Sequence, residues 1–194
     1  MSAPDPLARV AEWLAHAREH ESAEDAETMS LATVGADGRP SLRMLLVRGL
    51  DARGLVFYTN LTSRKARDIA HNQHVALCFH WKSTGRQIRI EGPAIQVDDI
   101  EADAYFASRP RDSRIGAWAS KQSSPLEGRF RLEQRVARYA ATFAIGPVPR
   151  PEFWSGFRVV PERVEFWEKR PFRLHERILF ERDGDAWRET RLYP

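Results

Sequence analysis

Apolar residues recur along the chain first at helical spacing and then at strand spacing. Leu7, Val10 and Leu14 fall on one face behind Pro6, a residue suited to the first helical turn, and predict a helix over about residues 6–20. From residue 28 onward the pattern changes, and alternating or short apolar runs predict strands over residues 28–34, 41–47, 55–59, 75–81 and 86–97. The first three of these strands are expected to form an antiparallel meander.

Short helices and further strands are predicted in the rest of the chain. Three short helices are expected from Arg64 to about Ala70, from Asp98 or Asp99 through Phe106, and near residues 113–119. A longer helix is expected over about residues 125–144, with an apolar side formed by Leu126, Phe130, Val136, Tyr139 and Phe143. After a proline-rich segment, strands return, and Asp183-Gly184 predicts a hairpin turn. Many strands with short helices between them favour a closed antiparallel barrel, a mainly β (α+β) fold in a single domain of residues 1–194.

The composition is that of a globular protein. The 194 residues are 42% hydrophobic and 10% aromatic, which is enough for a packed core. No apolar run approaches the roughly 20 residues that span a bilayer, and the N-terminal residues lack the pattern of a secretory signal. Cys78 is the single cysteine, so an internal disulfide cannot form, and a cytoplasmic location is expected.

Arginine dominates the basic residues. Lysine occurs four times, which leaves 26 of the 30 basic residues as arginine, against 27 acidic residues. The net charge of +3 is too small to indicate nucleic-acid binding. Arginine suits bidentate recognition of carboxylate and phosphate, so the positions of the arginines are more informative than their number.

One candidate anion site lies where a strand runs into a helix. The strand end Tyr58-Thr59 is followed by Ser63, which can cap the predicted helix, and by Arg64 and Lys65 in its first turn. Backbone N–H groups at a helix N-terminus attract anions, whereas two adjacent cations there oppose the helix dipole. A purely structural helix would favour acidic residues at these positions, so the pattern predicts a bound phosphate.

Two further groups point to a second phosphorylated molecule. Tyr105, Arg109 and Ser113 are spaced around a predicted helix break and could encircle another phosphate. Near the C-terminus, an aromatic pair is followed by residues that alternate along a predicted extended segment and share one side of it, namely Arg173, His175 and Arg177. Together the groups suggest a phosphorylated substrate beside a phosphorylated cofactor.

Metal and nucleotide motifs are weak in this sequence. His16 to His20 matches an H-x-x-E-H pattern, but both histidines lie opposite the apolar helix face and no third ligand accompanies them. His74, Cys78 and His80 are close in sequence, but Cys78 is typical of a small buried apolar residue in a strand. We therefore expect no metal site, and the sequence holds neither a G-x-G-x-x-G loop nor a Walker sequence.

At these residues the sequence resembles the pyridoxine (pyridoxamine) 5′-phosphate oxidase family, over about residues 5–194. The most specific segments are FYTNLTSRKA, YFASRPRDSRIGAWASKQSS and RLHER. The resemblance implies an FMN-binding split barrel with flanking short helices, and a homodimer with FMN at the subunit interface. It also implies that pyridoxine or pyridoxamine 5′-phosphate is oxidised to pyridoxal 5′-phosphate by FMN and O2, with H2O2 and, from the amine, NH3 as products.

The resemblance further implies roles for individual residues. The FMN site is implied for Arg43, Met44, Leu45, Leu46, Tyr58, Thr59, Ser63, Arg64, Lys65, Gln87, Gln122, Ser123, Trp167 and Arg177, some of them contributed by the partner subunit. The substrate phosphate is assigned to Arg48, Tyr105, Arg109 and Ser113. Arg173 and His175 match the catalytic pair that lies against the pyridine ring of the substrate.

Three features depart from the family pattern. Arg48 stands where the family has lysine, which keeps the charge but adds bulk and a planar fork. Residues 168–172 replace a turn that usually contains glycine, and we expect them to alter how Arg173 and His175 are presented. The chain also starts close to its first helix, without a longer basic extension that can cover the site. We expect turnover to survive, with weaker closure over the substrate.

Three other functions stay open at the level of the sequence. A different flavin enzyme on the same barrel, such as a phenazine-pathway oxidase or a flavin reductase, would not need Tyr105, Arg109 and Ser113. A non-catalytic flavin or pyridoxal-phosphate binding module would hold its ligand and make no peroxide. Nucleic-acid binding is disfavoured because acidic residues interleave with the arginines that would carry it, Arg129, Arg131, Arg135 and Arg138.

Overall fold

The computed structural model describes residues 5–194, which form a curled antiparallel sheet with short flanking helices. The helices are α1 (Pro6–His20), α2 (Ala23–Glu27), α3 (Arg64–His71), α4 (Asp99–Ser108), α5 (Arg111–Ala119) and α6 (Arg131–Thr142). The strands are β1 (Thr28–Val34), β2 (Pro40–Leu46), β3 (Gly49–Asp51), β4 (Gly54–Asn60), β5 (His74–Trp81), β6 (Arg86–Gln96), β7 (Trp154–Val159), β8 (Arg163–Glu168), β9 (Glu176–Asp183) and β10 (Ala186–Leu192). None of the helices in this part of the chain is long and apolar enough to cross a membrane.

The strand order returns to its starting strand and so describes a barrel. β6 pairs with β5, β5 with β1, and β1 with β2. Strand β2 runs through Val47 and Arg48 directly into β3, which pairs with β4. β4 pairs with β7, and β7 pairs with β6 again. All of these pairings are antiparallel, so the predicted mainly β antiparallel barrel is confirmed.

The long strand β6 changes its partner halfway along its length. Residues 86–91 pair with β8, and residues 94–96 pair with β7. Between them lies Gly92, where a Cβ atom would stand 2.0 Å from the carbonyl oxygen of Val160. Only glycine fits so close an approach of two backbones, and it lets β8, β9 and β10 extend the sheet outside the barrel.

Alternate residues of the strands fill the barrel. Inward-facing side chains come from β1, β4, β5 and β6, and those buried to 1% exposure or less are Met29, Leu31, Leu55, Phe57, Leu77, Phe79, Ile88 and Ile90. Helix α1 packs on this core through Trp13, whose ring meets that of Phe166 edge-on at 5.1 Å. The indole N–H of Trp81 donates to the carbonyl oxygen of Ala26 at 3.0 Å, which ties α2 to β5.

Two local predictions differ from the structure. The helix predicted over residues 125–144 begins only at Arg131, because Gly128 has a φ of +157° that a helix cannot contain, and α6 buries none of its residues. Leu126 and Phe130, expected on its apolar side, precede the helix and are exposed. The C-terminal hairpin turns through Gly184-Asp185, one residue later than predicted, because Asp183 pairs with Ala186.

The tight approach at Gly92 predicts a local loss of stability on substitution. Gly92→Ala should lower the free energy of unfolding by about 3 kcal/mol, because a methyl group has no room beside the Val160 carbonyl. Gly116→Ala, where nothing lies within 4 Å of the added carbon, is the matched control and should not destabilise the protein. Chemical denaturation of the two variants measures this, and equal midpoints would contradict the close approach.

Candidate active site

A group of cations lies at one end of the barrel, where β4 runs into α3. Ser63 caps α3 by accepting a hydrogen bond from the Ala66 amide at 3.4 Å, as predicted for this helix start. The side chain of Lys65 folds inward and the residue is only 6% exposed. Its Nζ donates to Thr59 Oγ1 at 3.1 Å and to Gln122 Oε1 at 3.2 Å, so α3, β4 and the segment after α5 meet at this ammonium group.

Arg43 joins this group from the core-facing side of β2. Its guanidinium donates to Thr33 Oγ1 at 2.8 Å and to Ser41 Oγ at 2.7 Å, and it lies 3.7 Å from the carboxylate of Asp68. Asp68 also accepts a hydrogen bond from the Thr33 hydroxyl at 2.7 Å, so this carboxylate contacts both Arg43 and the Thr33 side chain that Arg43 binds. The backbone N–H of Arg64 donates to Ser123 Oγ at 3.2 Å.

Burial and neighbouring positive charge lower the pKa values of Lys65 and Arg43. Burial lowers the pKa of Lys65 to about 8, and the charge of Arg43 lowers it further in the same direction. Burial likewise lowers the pKa of Arg43, with Asp68 opposing the shift and Arg64 adding to it. Cations gathered in a desolvated place with a single carboxylate favour an anionic ligand of high charge.

A cavity of about 790 Å³ lies beside this group, between the barrel and helices α4 and α5. Thr59 and Gln122, the two acceptors of the Lys65 ammonium group, both face it. The sequence-predicted residues that it brings together are Leu45, Leu46, Arg48, Tyr58, Thr59, Tyr105, Arg109, Ser113 and Gln122. The cavity therefore joins residues assigned to the cofactor with all four residues assigned to the substrate phosphate.

A stack of aromatic rings forms one wall of the cavity. The ring of Tyr58 lies 3.9 Å from that of Tyr105 and 5.3 Å from that of Trp154, with interplanar angles of 9° and 5°. The Arg109 guanidinium lies 4.9 Å from the Trp154 ring centroid. Burial raises the pKa of Tyr58 to about 12, so this wall is neutral at physiological pH.

Arg109 is a second, half-buried cation of the site. Its Nη1 atom is buried and has no hydrogen-bond partner among residues 5–194. Burial lowers the pKa of Arg109, and the charge of Arg48 lowers it further, while Tyr105 opposes the shift. A buried guanidinium nitrogen without an acceptor is costly unless a ligand supplies one.

Arg48 sits at the bend between β2 and β3 and borders two cavities. Its guanidinium lies 2.9 Å from a carboxylate oxygen of Glu27, whose other oxygen binds Arg18 at 2.9 Å. Strand β2 ends at Leu46, so Arg43 lies on the strand and Arg48 lies beyond its end. Arg48 thus forms an ion pair with the end of α2.

The other predicted residues form a second group on the outer face of the sheet. Gln87, Trp167 and Arg177 lie side by side on β6, β8 and β9. The Arg177 Nε donates to Glu165 at 2.7 Å, and the exposed Met44 lies on β2, the edge strand of the same sheet. None of these four side chains lines the 790 Å³ cavity, and neither do Arg173 and His175.

The turn that carries Arg173 differs from the prediction. The sequence predicted that Arg173, His175 and Arg177 alternate along an extended segment, but Arg173 lies in a 3-10 turn and β9 begins only at Glu176. Phe172 and Arg173 have φ angles of +57° and +62°, a region that costs a non-glycine residue about 1–3 kcal/mol. The ring of His175 lies 4.6 Å from that of Trp167.

Several residues at the site were not anticipated from the sequence. Asp68 follows Arg64 by four residues on α3, a spacing that marks neighbours on one helix face and could have identified it. Trp154 and Glu27 carry no such local signal, because long-range packing brings them to the cavity and to Arg48. Residues 5–194 contain no group of three or more His, Cys, Asp or Glu side chains arranged to hold a metal ion.

Comparisons with known proteins indicate one family over nearly the whole chain. The family model described as pyridoxamine 5′-phosphate oxidase matches residues 17–143, and that described as pyridoxine 5′-phosphate oxidase C-terminal dimerisation region matches residues 154–194. A pyridoxine/pyridoxamine 5′-phosphate oxidase from Rhodospirillum rubrum is 59% identical over 98% of this chain and 96% of its own. One from Chelativorans sp. strain BNC1 is 56% identical over 99% of this chain and 92% of its own.

Solved structures agree with this result. PhzG from Burkholderia lata 383, in complex with tetrahydrophenazine-1-carboxylic acid, matches with a TM-score of 0.93 at 34% identity, over 99% of this chain and 94% of that chain. A pyridoxamine 5′-phosphate oxidase-related, FMN-binding protein from Nostoc punctiforme shares the fold, with a TM-score of 0.78 at 22% identity over the full length of both chains. With two family models matched and close relatives aligned from end to end, the chain belongs to the pyridoxine/pyridoxamine 5′-phosphate oxidase family.

Proposed function

We propose that this protein oxidises pyridoxine 5′-phosphate and pyridoxamine 5′-phosphate to pyridoxal 5′-phosphate with bound FMN. The alcohol and O2 give pyridoxal 5′-phosphate and H2O2; the amine, O2 and water give the same products and NH3. The observation that carries the proposal is one cavity with cations at two places: half-buried Arg109 on its wall, and the group of Lys65 and Arg43 behind Thr59 and Gln122, which line it. Two cation groups match two phosphorylated molecules.

The residues at the barrel end fit the phosphate of FMN. Arg43, Arg64 and Lys65 supply charge, and the Ser63 and Ser123 hydroxyls lie beside them at the start of α3. A phosphate dianion would offset the repulsion between Arg43 and Lys65 and would accept hydrogen bonds from a helix N-terminus. Tyr58, Thr59, Leu45, Leu46 and Gln122 border the adjoining cavity, where the rest of the cofactor would lie.

We propose that a second copy of the chain completes the site. Gln87, Trp167 and Arg177 are assigned to FMN by the family resemblance, yet they lie outside this chain's own cavity. Their outer sheet face also carries Met44, a 61% exposed apolar side chain on an edge strand, which a homodimer would cover. The matched dimerisation region spans residues 154–194, which include β8, β9 and the Arg173–His175 turn.

The substrate phosphate belongs beside Arg109. The buried Nη1 of Arg109 lacks a partner, and Arg48, Tyr105 and Ser113 border the same cavity. A phosphate monoester supplies the missing acceptor and the opposite charge. The stacked rings of Tyr58, Tyr105 and Trp154 form the wall of the cavity next to Arg109.

Bound FMN would supply the acceptor for the hydride, with its two electrons, that leaves C4′ of the substrate. The chain's own residues bind and orient the substrate. Arg173 and His175 hold the pyridine ring, and the His175 ring is positioned by Trp167. The backbone N–H of Arg170 donates to His175 Nδ1 at 3.3 Å, so the neutral ring carries its proton on Nε2, where it can donate to the substrate.

A phenazine-type flavin oxidase is the second candidate, because the Burkholderia lata PhzG structure is so similar over the full chain. Its crystallised ligand, as described, carries a carboxylate and no phosphate. The unpaired Arg109 and the second cation group favour a phosphorylated substrate over that alternative. We further propose that the chain works as one domain in the cytoplasm, consistent with its single cysteine.

Removal of the Arg109 charge should selectively impair phosphorylated substrates. Arg109→Leu should raise KM for pyridoxine 5′-phosphate about 30-fold, since a charged hydrogen bond contributes about 2 kcal/mol. The slow oxidation of unphosphorylated pyridoxine should be the same in both proteins, which controls for damage to the flavin site. Steady-state peroxide assays with both substrates measure this. An equal loss on both substrates would place the phosphate elsewhere.

The affinity for FMN should fall as the pH rises through the pKa of Lys65. The pKa of about 8 in the free protein means that Lys65 is charged at pH 7 and largely neutral at pH 9. The Kd for FMN, followed by quenching of flavin fluorescence, should therefore rise about tenfold between these pH values. Lys65→Arg stays charged throughout and should remove most of that rise. The same rise in Lys65→Arg would contradict the assignment.

A further inference from the structure

The turn between β8 and β9 is strained and receives little support from packing. Phe172 and Arg173 both adopt left-handed backbone angles without being glycine. The side chains of Phe172 and Leu174 are 93% and 68% exposed, so no apolar contact compensates for that strain. Polar contacts must therefore hold the turn that carries Arg173 and His175.

Two carboxylates face each other at the base of this turn. Glu168 is the last residue of β8, Glu176 is the first residue of β9, and the two are cross-strand partners. Like charges directly opposite each other destabilise a strand pair. Arg86 lies 3.4 Å from Glu168 Oε1, on the side of this carboxylate that faces β6. Without a cation between Glu168 and Glu176, the two carboxylates would still repel each other at the point where the turn begins.

Arg170 bridges these two carboxylates. Its Nη2 atom lies 3.0 Å from Glu168 Oε2 and 3.0 Å from Glu176 Oε2. The bridge lowers the pKa of Glu176, and the same carboxylates raise the pKa of Arg170. The backbone N–H of Arg170 also donates to His175 Nδ1, so one residue contacts both strand ends and a proposed catalytic ring.

We propose that Arg170 is a positioning residue: by bridging Glu168 and Glu176 it holds the strained Phe172–Arg173 turn closed and so presents Arg173 and His175 to the substrate. The proposal rests on the proposed function, because it assigns these two side chains to the pyridine ring. It gives a role to a segment that holds two left-handed backbone positions without a glycine, since the Arg170 bridge supplies the restraint that this backbone needs.

The test compares Arg170→Gln with Lys169→Gln in the FMN-loaded protein. Lys169 is the exposed neighbour, and its replacement removes the same charge without touching the bridge. Arg170→Gln should raise both KM for pyridoxine 5′-phosphate and the Kd for pyridoxal 5′-phosphate about fivefold to tenfold, as expected for the loss of two partly exposed ion pairs. FMN content and Tm should match those of Lys169→Gln.

Two further variants separate positioning from a general structural role. Arg170→Lys keeps a cation between the carboxylates and should recover most of the lost affinity. Glu176→Gln should weaken product binding in the wild-type background but strengthen it in the Arg170→Gln background, where it removes the repulsion from Glu168. This reversal of sign is specific to a bridged pair of like charges.

Three results would overturn the proposal. The first is that Arg170→Gln binds product and substrate as tightly as Lys169→Gln does. The second is that Arg170→Gln has a lower FMN content and a lower Tm together with its lower affinity, which would indicate a general structural role. The third is that Glu176→Gln changes product binding in the same direction in both backgrounds. Each of these leaves the proposed function standing if the wild-type protein oxidises pyridoxine 5′-phosphate. A wild-type protein that neither oxidises this substrate nor binds pyridoxal 5′-phosphate overturns the proposed function and this proposal together.

Discussion

The burial of positive charge at the end of the barrel is the constraint on which the rest of the site depends. Lys65 is almost fully buried next to Arg43, and the Asp68 carboxylate lies 3.7 Å from the Arg43 guanidinium. Such an arrangement costs several kcal/mol in a folded protein unless a ligand returns the lost solvation. The barrel tolerates it because the Thr59 hydroxyl and the Gln122 amide oxygen accept from the ammonium group. The same contacts fix the edge of the cavity.

Arginines also stabilise the fold, and two of them hold the helix that carries part of the site against the barrel. Arg158 is buried and joins Asp51 on β3 to Glu101 on α4, at 2.7 and 2.8 Å. Arg150 binds two further carboxylates of α4 and the carbonyl oxygen of Trp154. These bridges attach α4 to the barrel, and α4 carries Tyr105 and leads into Arg109. The excess of arginine over lysine therefore reflects planar bridges between elements, alongside the phosphate recognition that we propose.

Local patterns in the sequence were sufficient for the strands other than the short β3, for helices α1, α3, α4 and α5, and for the cap at Ser63, because these depend on alternation and on nearby side chains. The short elements α2 and β3 carried no such pattern and were not predicted. They failed at α6, where an apolar stripe predicted a long helix and Gly128 delays its start. Arg64 and Lys65 were predicted as phosphate ligands because their positive charges oppose the helix dipole at the start of α3. The Trp154 wall and the Glu27 pair could not be predicted, since they arise from contacts between residues distant in sequence.

We propose that one cavity, with Arg109 on its wall and the Lys65 group beside it, accepts a phosphorylated pyridine next to FMN. The stoichiometry of a single reaction in the FMN-loaded protein under air, with pyridoxamine 5′-phosphate as substrate, tests this most directly. We expect equal amounts of pyridoxal 5′-phosphate, H2O2 and NH3, and almost none of these products from unphosphorylated pyridoxamine. Equal rates with and without the phosphate, or flavin binding with no product from either compound, would contradict it.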